Sequence, residues 1–133
     1  MTIEQIRGEK NGHIFTITLN RPRKRNAITL EMMQEICNLA EAETADPEIR
    51  VIILKGEGPI FSAGIDFFAL GAEVGSMMGE ADGGGARLRA LIYRYQQYMN
   101  RLEAVEIPII CAMHGKVLGM GTEIALACDL RLM

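Results

Sequence analysis

The sequence predicts an α/β fold in which parallel strands alternate with flanking helices. Two continuous apolar runs, VIIL at 51–54 and IPIICAM at 107–113, have the composition of buried parallel strands. Segments with helical periodicity separate and follow them, and a further apolar segment begins at 130. The resulting order is strand, helix, strand, helix, strand, helix, strand. It predicts one layered domain over residues 1–133.

The first part of the chain predicts a strand, a basic turn and a helix. Residues 13–19, HIFTITL, alternate apolar and polar side chains, which is typical of a half-buried strand. The basic segment NRPRKRNA at 20–27 follows and contains Pro22, which favours a turn. Thr29 is suited to cap the next helix, and that helix should end before Pro47 because the residue preceding a proline disfavours helical backbone.

The second part predicts a turn, a loop and two helices. FSAGIDFFAL at 61–70 combines small residues with the start of a helical turn, and the six glycines of 71–86 predict a mobile surface loop. Its DGGGA sequence follows no strand, so we interpret it as flexible chain and not as a phosphate loop. Helical periodicity returns from 86 to 105 and again in TEIALACD at 122–129.

Composition excludes several classes of function. The net charge of −3, the absence of Trp and the few Phe and Tyr residues argue against a nucleic-acid-binding protein. The three cysteines, Cys37, Cys111 and Cys128, lie in apolar segments, which predicts buried thiols in a reducing compartment and no metal site. Since no signal core or membrane-length apolar segment is present, we expect a cytoplasmic protein without a membrane partner.

The stretch HGKVLGMGTEIALACD at 114–129 places three glycines before a helix. Free N–H groups at a helix start favour an anion. The spacing is not that of a phosphate loop, no Lys follows the last glycine, and the carboxylate of Glu123 in the first turn would repel a phosphate. A carbonyl oxygen that becomes negative only during a reaction fits better, with Glu123 close enough to move a proton.

A second glycine turn, FSAGID at 61–66, supplies another donor. Gly64 permits an unusual backbone angle, so that the N–H of Ile65 can point into a cleft. The two turns follow the strands at 51–54 and 107–113. In α/β folds, ligands bind at the carboxyl ends of such strands.

Three segments, LNRPRKRNAIT at 19–29, FSAGIDF at 61–67 and HGKVLGMGTEIALACDLR at 114–131, together resemble the enoyl-CoA hydratase/isomerase (crotonase) superfamily. The resemblance covers nearly the whole chain and corresponds to the N-terminal half of a family member. It implies the N-terminal portion of a crotonase-like ββα spiral. Because the chain stops as it enters a strand, we expect a fragment or truncated product that lacks the C-terminal half with the family's second catalytic acid.

The resemblance also assigns roles to residues. It implies Glu123 as the catalytic acid and the backbone N–H groups of Ile65 and Met120 as the oxyanion hole. Met120 stands where the family prefers glycine, and it would be strained if its φ were positive. The residues implied to contact coenzyme A or substrate are Lys24, Arg25, Ala63, Gly64, Ile65, Asp66, Phe67, Phe68 and Gly119. The resemblance assigns Asp66 a bracing role as well, and the helix over 88–102 would border the acyl pocket.

Two further polar residues are interpreted as structural. His114 precedes a glycine at a strand end, and Asp129 lies at a helix end. The resemblance implies an acyl-CoA thioester as substrate, with no separate cofactor. It also implies a homotrimer or hexamer, which is less expected for so short a chain.

Three functions remain open. The first is an enoyl-CoA hydratase/isomerase whose 133-residue chain is poorly active. The second is a dienoyl-CoA isomerase, since NRPRKRNA, FSAGID and RYQQYMNRLE at 94–103 are most similar to that branch, although its members tend to carry aspartate where Glu123 stands. The third is a non-catalytic fragment that binds acyl-CoA or forms oligomers.

Overall fold

In a computed structural model, residues 4–78 and 85–133 are described, and in this part of the chain five strands form one sheet. The strands follow one another in the sheet in sequence order. They are β1 (Ile6–Asn11), β2 (Ile14–Leu19), β3 (Val51–Gly56), β4 (Ile109–Ala112) and β5 (Leu130–Leu132). The pairs from β2 to β5 are parallel, and β1 pairs antiparallel with β2. The predicted layer of parallel strands is confirmed.

The helices lie in the connections between the parallel strands. They are α1 (Leu30–Glu43), α2 (Phe67–Met78), α3 (Gly85–Glu103) and α4 (Met120–Ala127), with one 3-10 turn at Pro22–Lys24. Thr29 caps α1 as predicted, because its side chain accepts a hydrogen bond from the Met32 N–H at 3.2 Å. The predicted α/β alternation is therefore confirmed.

Strand β1 was not predicted from the sequence. Only Ile6 of its six residues is buried, so the strand shows no alternation of apolar side chains. It is an edge strand joined to β2 by a tight turn at Gly12, whose φ is +59°. The Asn11–Gly12 pair was the available signal, since this dipeptide is typical of hairpin turns.

The prediction of a mobile loop over 71–86 is wrong where the chain is described. Helix α2 continues to Met78, and α3 begins at Gly85. Leu70 and Val74 pack against the core, which stabilises α2 despite its glycines. Residues 79–84, with the first three residues of DGGGA, lie outside the described residues.

The core lies between the sheet and the helices, with α1 packed against β1, β2 and α3. Its largest fully buried side chains include Ile17, Leu19, Met33, Ile36, Leu54, Phe61 and Ile124. The three cysteines are buried free thiols, as predicted, and burial raises the pKa of Cys37 to about 11. Within the described ranges, no helix has the length and apolar character needed to cross a membrane.

Candidate active site

The turns that follow β3 and β4 lie directly against each other. Ser62 pairs with Val117 in a parallel bridge, and the Leu118 N–H donates to the Ser62 carbonyl oxygen at 3.1 Å. The Ser62 N–H in turn donates to the carbonyl oxygen of Lys116 at 3.3 Å. Because β3 and β4 are neighbouring parallel strands, the two glycine turns meet at the same edge of the sheet, as the sequence predicted.

The first turn leaves the backbone amide of Ile65 without an acceptor. Gly64 has a φ of +97°, and its N–H donates to the Ser62 hydroxyl at 3.1 Å. On the other side, the Asp66 N–H donates to the Ile28 carbonyl oxygen at 2.8 Å. Within residues 4–78 and 85–133, the Ile65 N–H between them has no hydrogen-bond partner. It is thus an available donor in an otherwise paired segment.

The second turn likewise leaves the backbone amide of Met120 without an acceptor. Gly119 has φ +50° and ψ −120°, a conformation suited to glycine, and the Gly121 N–H closes the turn onto the Leu118 carbonyl oxygen at 2.9 Å. Met120 is the first residue of α4, and its φ is not positive. The positive φ of this turn is adopted by Gly119, so the backbone of Met120 is not strained. The Met120 N–H has no acceptor in the described part of the chain.

A cavity of about 570 Å³ runs between α3 and α4 and contains all three predicted reaction residues. Ile65, Met120 and Glu123 line it together. The remaining lining residues are Leu70, Leu88, Leu91, Ile92, Tyr95, Gln96, Met99, Asn100, Glu103, Leu126 and Ala127. Most of them come from α3, the helix that was expected to border the acyl pocket, so α3 forms one wall of this cavity.

Glu123 lies in the first turn of α4, where a carboxylate is favoured by the helix dipole. Its side chain is exposed and makes no hydrogen bond with any described residue. Its backbone N–H donates to the Gly119 carbonyl oxygen at 3.1 Å, which fixes the start of the helix. The carboxylate is therefore not engaged by any described residue, and Glu123 lines the cavity.

Comparisons with known proteins agree with this geometry. The family model of enoyl-CoA hydratase/isomerase matches residues 9–133. The chain belongs to the enoyl-CoA hydratase/isomerase family. A mitochondrial Δ(3,5)-Δ(2,4)-dienoyl-CoA isomerase of Homo sapiens is 33% identical over 123 residues, which are 90% of this chain and 37% of that protein. A peroxisomal enzyme of the same name from Arabidopsis thaliana is 33% identical over 132 residues, covering 98% of this chain and 48% of that protein.

The solved structures confirm the crotonase-like fold. An enoyl-CoA hydratase from Bacillus anthracis superposes with a TM-score of 0.79 at 30% identity, over 96% of this chain and 46% of that one. The chain thus spans about half the length of the relatives it matches, or less. Since the two isomerases are named mitochondrial and peroxisomal, a cytoplasmic location stays a prediction, as does a homotrimer or hexamer.

Asp66 in this family member is engaged in holding the first turn. Its carboxylate accepts hydrogen bonds from the N–H groups of Phe68 and Ala69, at 3.0 and 3.1 Å, and so caps α2. It also pairs with the Arg21 guanidinium at 3.0 Å. The hydrogen bond from Ala69 and the pairing with Arg21 hold the pKa of Asp66 below its ordinary value. The side chain braces the turn, as the resemblance implied.

The residues expected to contact coenzyme A are spread around the reaction residues. Phe67 and Phe68 are 75% and 90% exposed. Lys24 lines a separate cavity of about 370 Å³. Arg25 is exposed, and its carbonyl oxygen accepts from the Ala63 N–H at 2.9 Å, so the basic turn adjoins the first glycine turn. Contact of these residues with coenzyme A stays a prediction.

Asn26 is a structural residue of the site that the sequence reasoning missed. It is fully buried, and its amide group donates to the carbonyl oxygens of Glu57, Ile60 and Phe61 at 2.8, 3.2 and 3.0 Å. Its own carbonyl oxygen accepts from the Ser62 hydroxyl at 2.8 Å. Asn26 has a φ of +51°, which asparagine tolerates better than most residues. This tolerance was the available signal within the basic turn.

His114 and Asp129 occupy structural positions, in agreement with their interpretation. The Nε2 of His114 donates to the Gly58 carbonyl oxygen at 2.7 Å. The Asp129 carboxylate accepts from the Ile109 N–H at 2.7 Å and joins the end of α4 to β4. Over residues 4–78 and 85–133, no group of three or more His, Cys, Asp or Glu side chains is arranged to hold a metal ion.

Proposed function

We propose that the chain binds an acyl-CoA thioester and carries the oxyanion hole of an enoyl-CoA hydratase/isomerase. The thioester carbonyl oxygen accepts hydrogen bonds from the N–H groups of Ile65 and Met120, and Glu123 transfers a proton to or from the acyl group. One observation carries the proposal: Ile65 and Met120, two residues from separate turns whose backbone N–H groups are unpaired, line a single cavity with Glu123, whose carboxylate is unpaired.

The physical reason is the charge that develops on the thioester oxygen. When an enolate-like intermediate forms, that oxygen becomes negative, and donors already in position stabilise it more than they stabilise the neutral carbonyl. Ser62 and Leu118 tie the two turns together by a backbone hydrogen bond of 3.1 Å. The donors are therefore held in place before the substrate binds. Losing one such donor commonly lowers the rate by ~10²–10³.

The positions of the acyl group and of the coenzyme A arm follow from placing the thioester carbonyl between these two N–H groups. The acyl group enters the cavity against Leu70, Leu91 and Ile92. The coenzyme A arm lies along residues 63–68, and its phosphates are met by Lys24 and Arg25. The reaction uses no cofactor beyond the thioester itself.

A second candidate reaction is isomerisation of a dienoyl-CoA. It is supported by the relatives named as dienoyl-CoA isomerases at about one-third identity. In this reaction Glu123 moves a proton between carbons, whereas in hydration it acts on water. Both reactions use the same oxyanion hole, so they are distinguished by their products.

The test is the substitution Glu123→Gln, which keeps the size of the side chain and removes its acid–base function. We expect turnover of crotonyl-CoA, or of a 3,5-dienoyl-CoA, to fall by ~10²–10⁴. Binding of acetyl-CoA, measured by calorimetry, should change little. Glu106→Gln is the matched control, because Glu106 is exposed and does not line the cavity.

Near wild-type turnover by Glu123→Gln would contradict the proposed acid–base role. If the wild-type chain binds acetyl-CoA without turning over either substrate, the non-catalytic acyl-CoA-binding alternative is favoured. If no thioester binds, the whole proposal fails.

A further inference from the structure

Five polar side chains of the cavity wall lack a hydrogen-bond partner. They are Tyr95, Gln96, Asn100, Glu103 and Glu123, and no side-chain hydrogen bond connects any of them to a residue in 4–78 or 85–133. All of them except Tyr95 are exposed to solvent. The proposed reaction uses only Glu123. The other four all lie on α3, so one face of this helix presents polar groups that the proposed reaction does not use.

Tyr95 is the most buried of these groups, with only 8% of its surface exposed. Among the described residues, no completely shielded side-chain nitrogen or oxygen lacks a partner. The unpaired hydroxyl of Tyr95 must therefore keep some contact with solvent, and Tyr95 forms part of the cavity wall. In the empty cavity this hydroxyl can hydrogen-bond to water, so a ligand that displaces the water must supply a partner or leave the hydroxyl unpaired.

The character of the α3 wall changes at Tyr95. Before it, Leu88, Leu91 and Ile92 present an apolar surface. After it, Gln96, Asn100 and Glu103 present amides and a carboxylate. Positions 92, 96, 100 and 103 are three or four residues apart and so lie along one face of the helix. A ligand along this wall meets an apolar region and then a polar one.

The chemistry of the polar region selects a hydroxyl group. The phenol of Tyr95 stays protonated, since burial, together with the negative charges of Glu73 and Glu31, raises its pKa to about 12. Tyr95 and the two amides donate, whereas Glu103 accepts. Tyr95 and Glu103 are about 12 Å apart along the helix axis, so a ligand hydroxyl reaches one of them and not both. Near Tyr95, a ligand hydroxyl can accept from the phenol and donate to an amide oxygen. A ligand carboxylate would be repelled by Glu103 and Glu123.

We infer that the acyl group recognised by this cavity carries a hydroxyl group beyond the reacting carbons, and that Tyr95 hydrogen-bonds it. This inference rests on the proposed binding of an acyl-CoA thioester. A fully apolar chain that fills the cavity would displace water from the Tyr95 hydroxyl and leave it unpaired. Sites built to hydrogen-bond a substrate discriminate against analogues that lack the partner.

Calorimetric titration of the chain with hexanoyl-CoA and with its 4-, 5- and 6-hydroxy derivatives tests the inference. One hydroxy derivative should bind ~3–10-fold more tightly than hexanoyl-CoA, the scale of one net hydrogen bond. Tyr95→Phe should bring this ratio to about 1 while the hexanoyl-CoA affinity stays within about twofold, because only the hydroxyl is removed. Tyr93→Phe is the matched control, since Tyr93 is 60% exposed on the same helix and does not line the cavity. It should leave the ratio unchanged.

The outcomes separate this inference from the function on which it rests. Equal binding of hexanoyl-CoA and every hydroxy derivative overturns the inference and leaves acyl-CoA binding intact. A preference that persists in Tyr95→Phe overturns the role of Tyr95. If 6-aminohexanoyl-CoA binds more tightly than every hydroxy derivative, the recognised group is a cation and the inference of a hydroxyl group is wrong. If no thioester binds, both the inference and the proposed function fall.

Discussion

Gly64 packs directly against the carbonyl group of Leu118. A β-carbon added at Gly64 would lie 3.0 Å from the Leu118 oxygen and 3.6 Å from the α-carbon of Gly119. This contact joins the two turns that carry the N–H groups of Ile65 and Met120. The separation of these two donors therefore depends on the absence of a side chain at position 64.

Gly64→Ala should reduce both stability and acyl-CoA binding. The φ of +97° is strained for alanine by ~1–3 kcal/mol, and the methyl group must push the Leu118 carbonyl away. Urea unfolding measures the first effect, and titration with acetyl-CoA measures the second. Gly75→Ala is the control, because a β-carbon there meets nothing within 4 Å. It should stabilise α2 by roughly 0.5–1 kcal/mol. Unchanged ligand binding in Gly64→Ala would contradict the importance of this contact.

Asn26→Asp should destabilise the chain strongly although it hardly changes the side-chain volume. The substitution replaces an amide donor by a carboxylate oxygen facing three carbonyl oxygens within 3.2 Å. One carboxylate oxygen would keep the hydrogen bond from the Arg21 N–H at 2.9 Å, and the other would face only acceptors. A buried charge in that position costs more than the ~1–3 kcal/mol of an unpaired neutral group. Asn20→Asp provides the comparison, since Asn20 makes one exposed hydrogen bond, to the Glu4 carbonyl oxygen. Equal losses of unfolding free energy in the two variants would show that the Asn26 network is unimportant.

Asp66 should make stability depend on pH in the acid range. Its pKa in the folded chain lies below the ordinary value of 3.8, so the ionised carboxylate stabilises the fold above that pH. The contribution is lost as the pH falls through the folded-state pKa. Asp66→Asn keeps a capping side chain and removes the charge that pairs with Arg21. The unfolding free energies of wild type and Asp66→Asn should therefore differ most near neutral pH and converge in acid. A difference that does not vary with pH would be incompatible with this role.

Local sequence patterns predicted most of the fold. They failed for elements whose formation depends on packing or hydrogen bonding between residues distant in sequence. The apolar runs that became β3 and β4 and the Thr29 cap of α1 were predicted because they depend on near neighbours in sequence. The first turn of helix α2 was predicted within 61–70, but its continuation to Met78 was missed, because the glycines at 71 and 75 suggest a loop when considered alone. Its stability comes from the Asp66 cap and from the packing of Leu70, and periodicity over a short glycine-rich segment shows neither.

The candidate site likewise contains residues that the sequence predicted and one that it did not. The glycine spacing and Glu123 predicted an oxyanion site, and the resemblance named Ile65 and Met120 as its donors. The role of Asn26 was not predicted, since asparagine's tolerance of positive φ indicates a turn but does not show whether its side chain is buried. Its role follows from carbonyl groups that lie more than 30 residues away in the chain.

The sequence by itself determined the order of the four parallel strands and of the helices α1, α3 and α4 between them, the two glycine turns and the acid that follows the second of them. Periodicity, capping and glycine's tolerance of positive φ are properties of short segments, so a sequence can display them. Only the tertiary structure decided that the N–H groups of Ile65 and Met120 stay unpaired and that these two residues line one cavity with Glu123. Whether a backbone amide is free depends on every acceptor around it. Here the acceptors of neighbouring amides come from Ile28, Ser62 and Leu118, which only folding brings together.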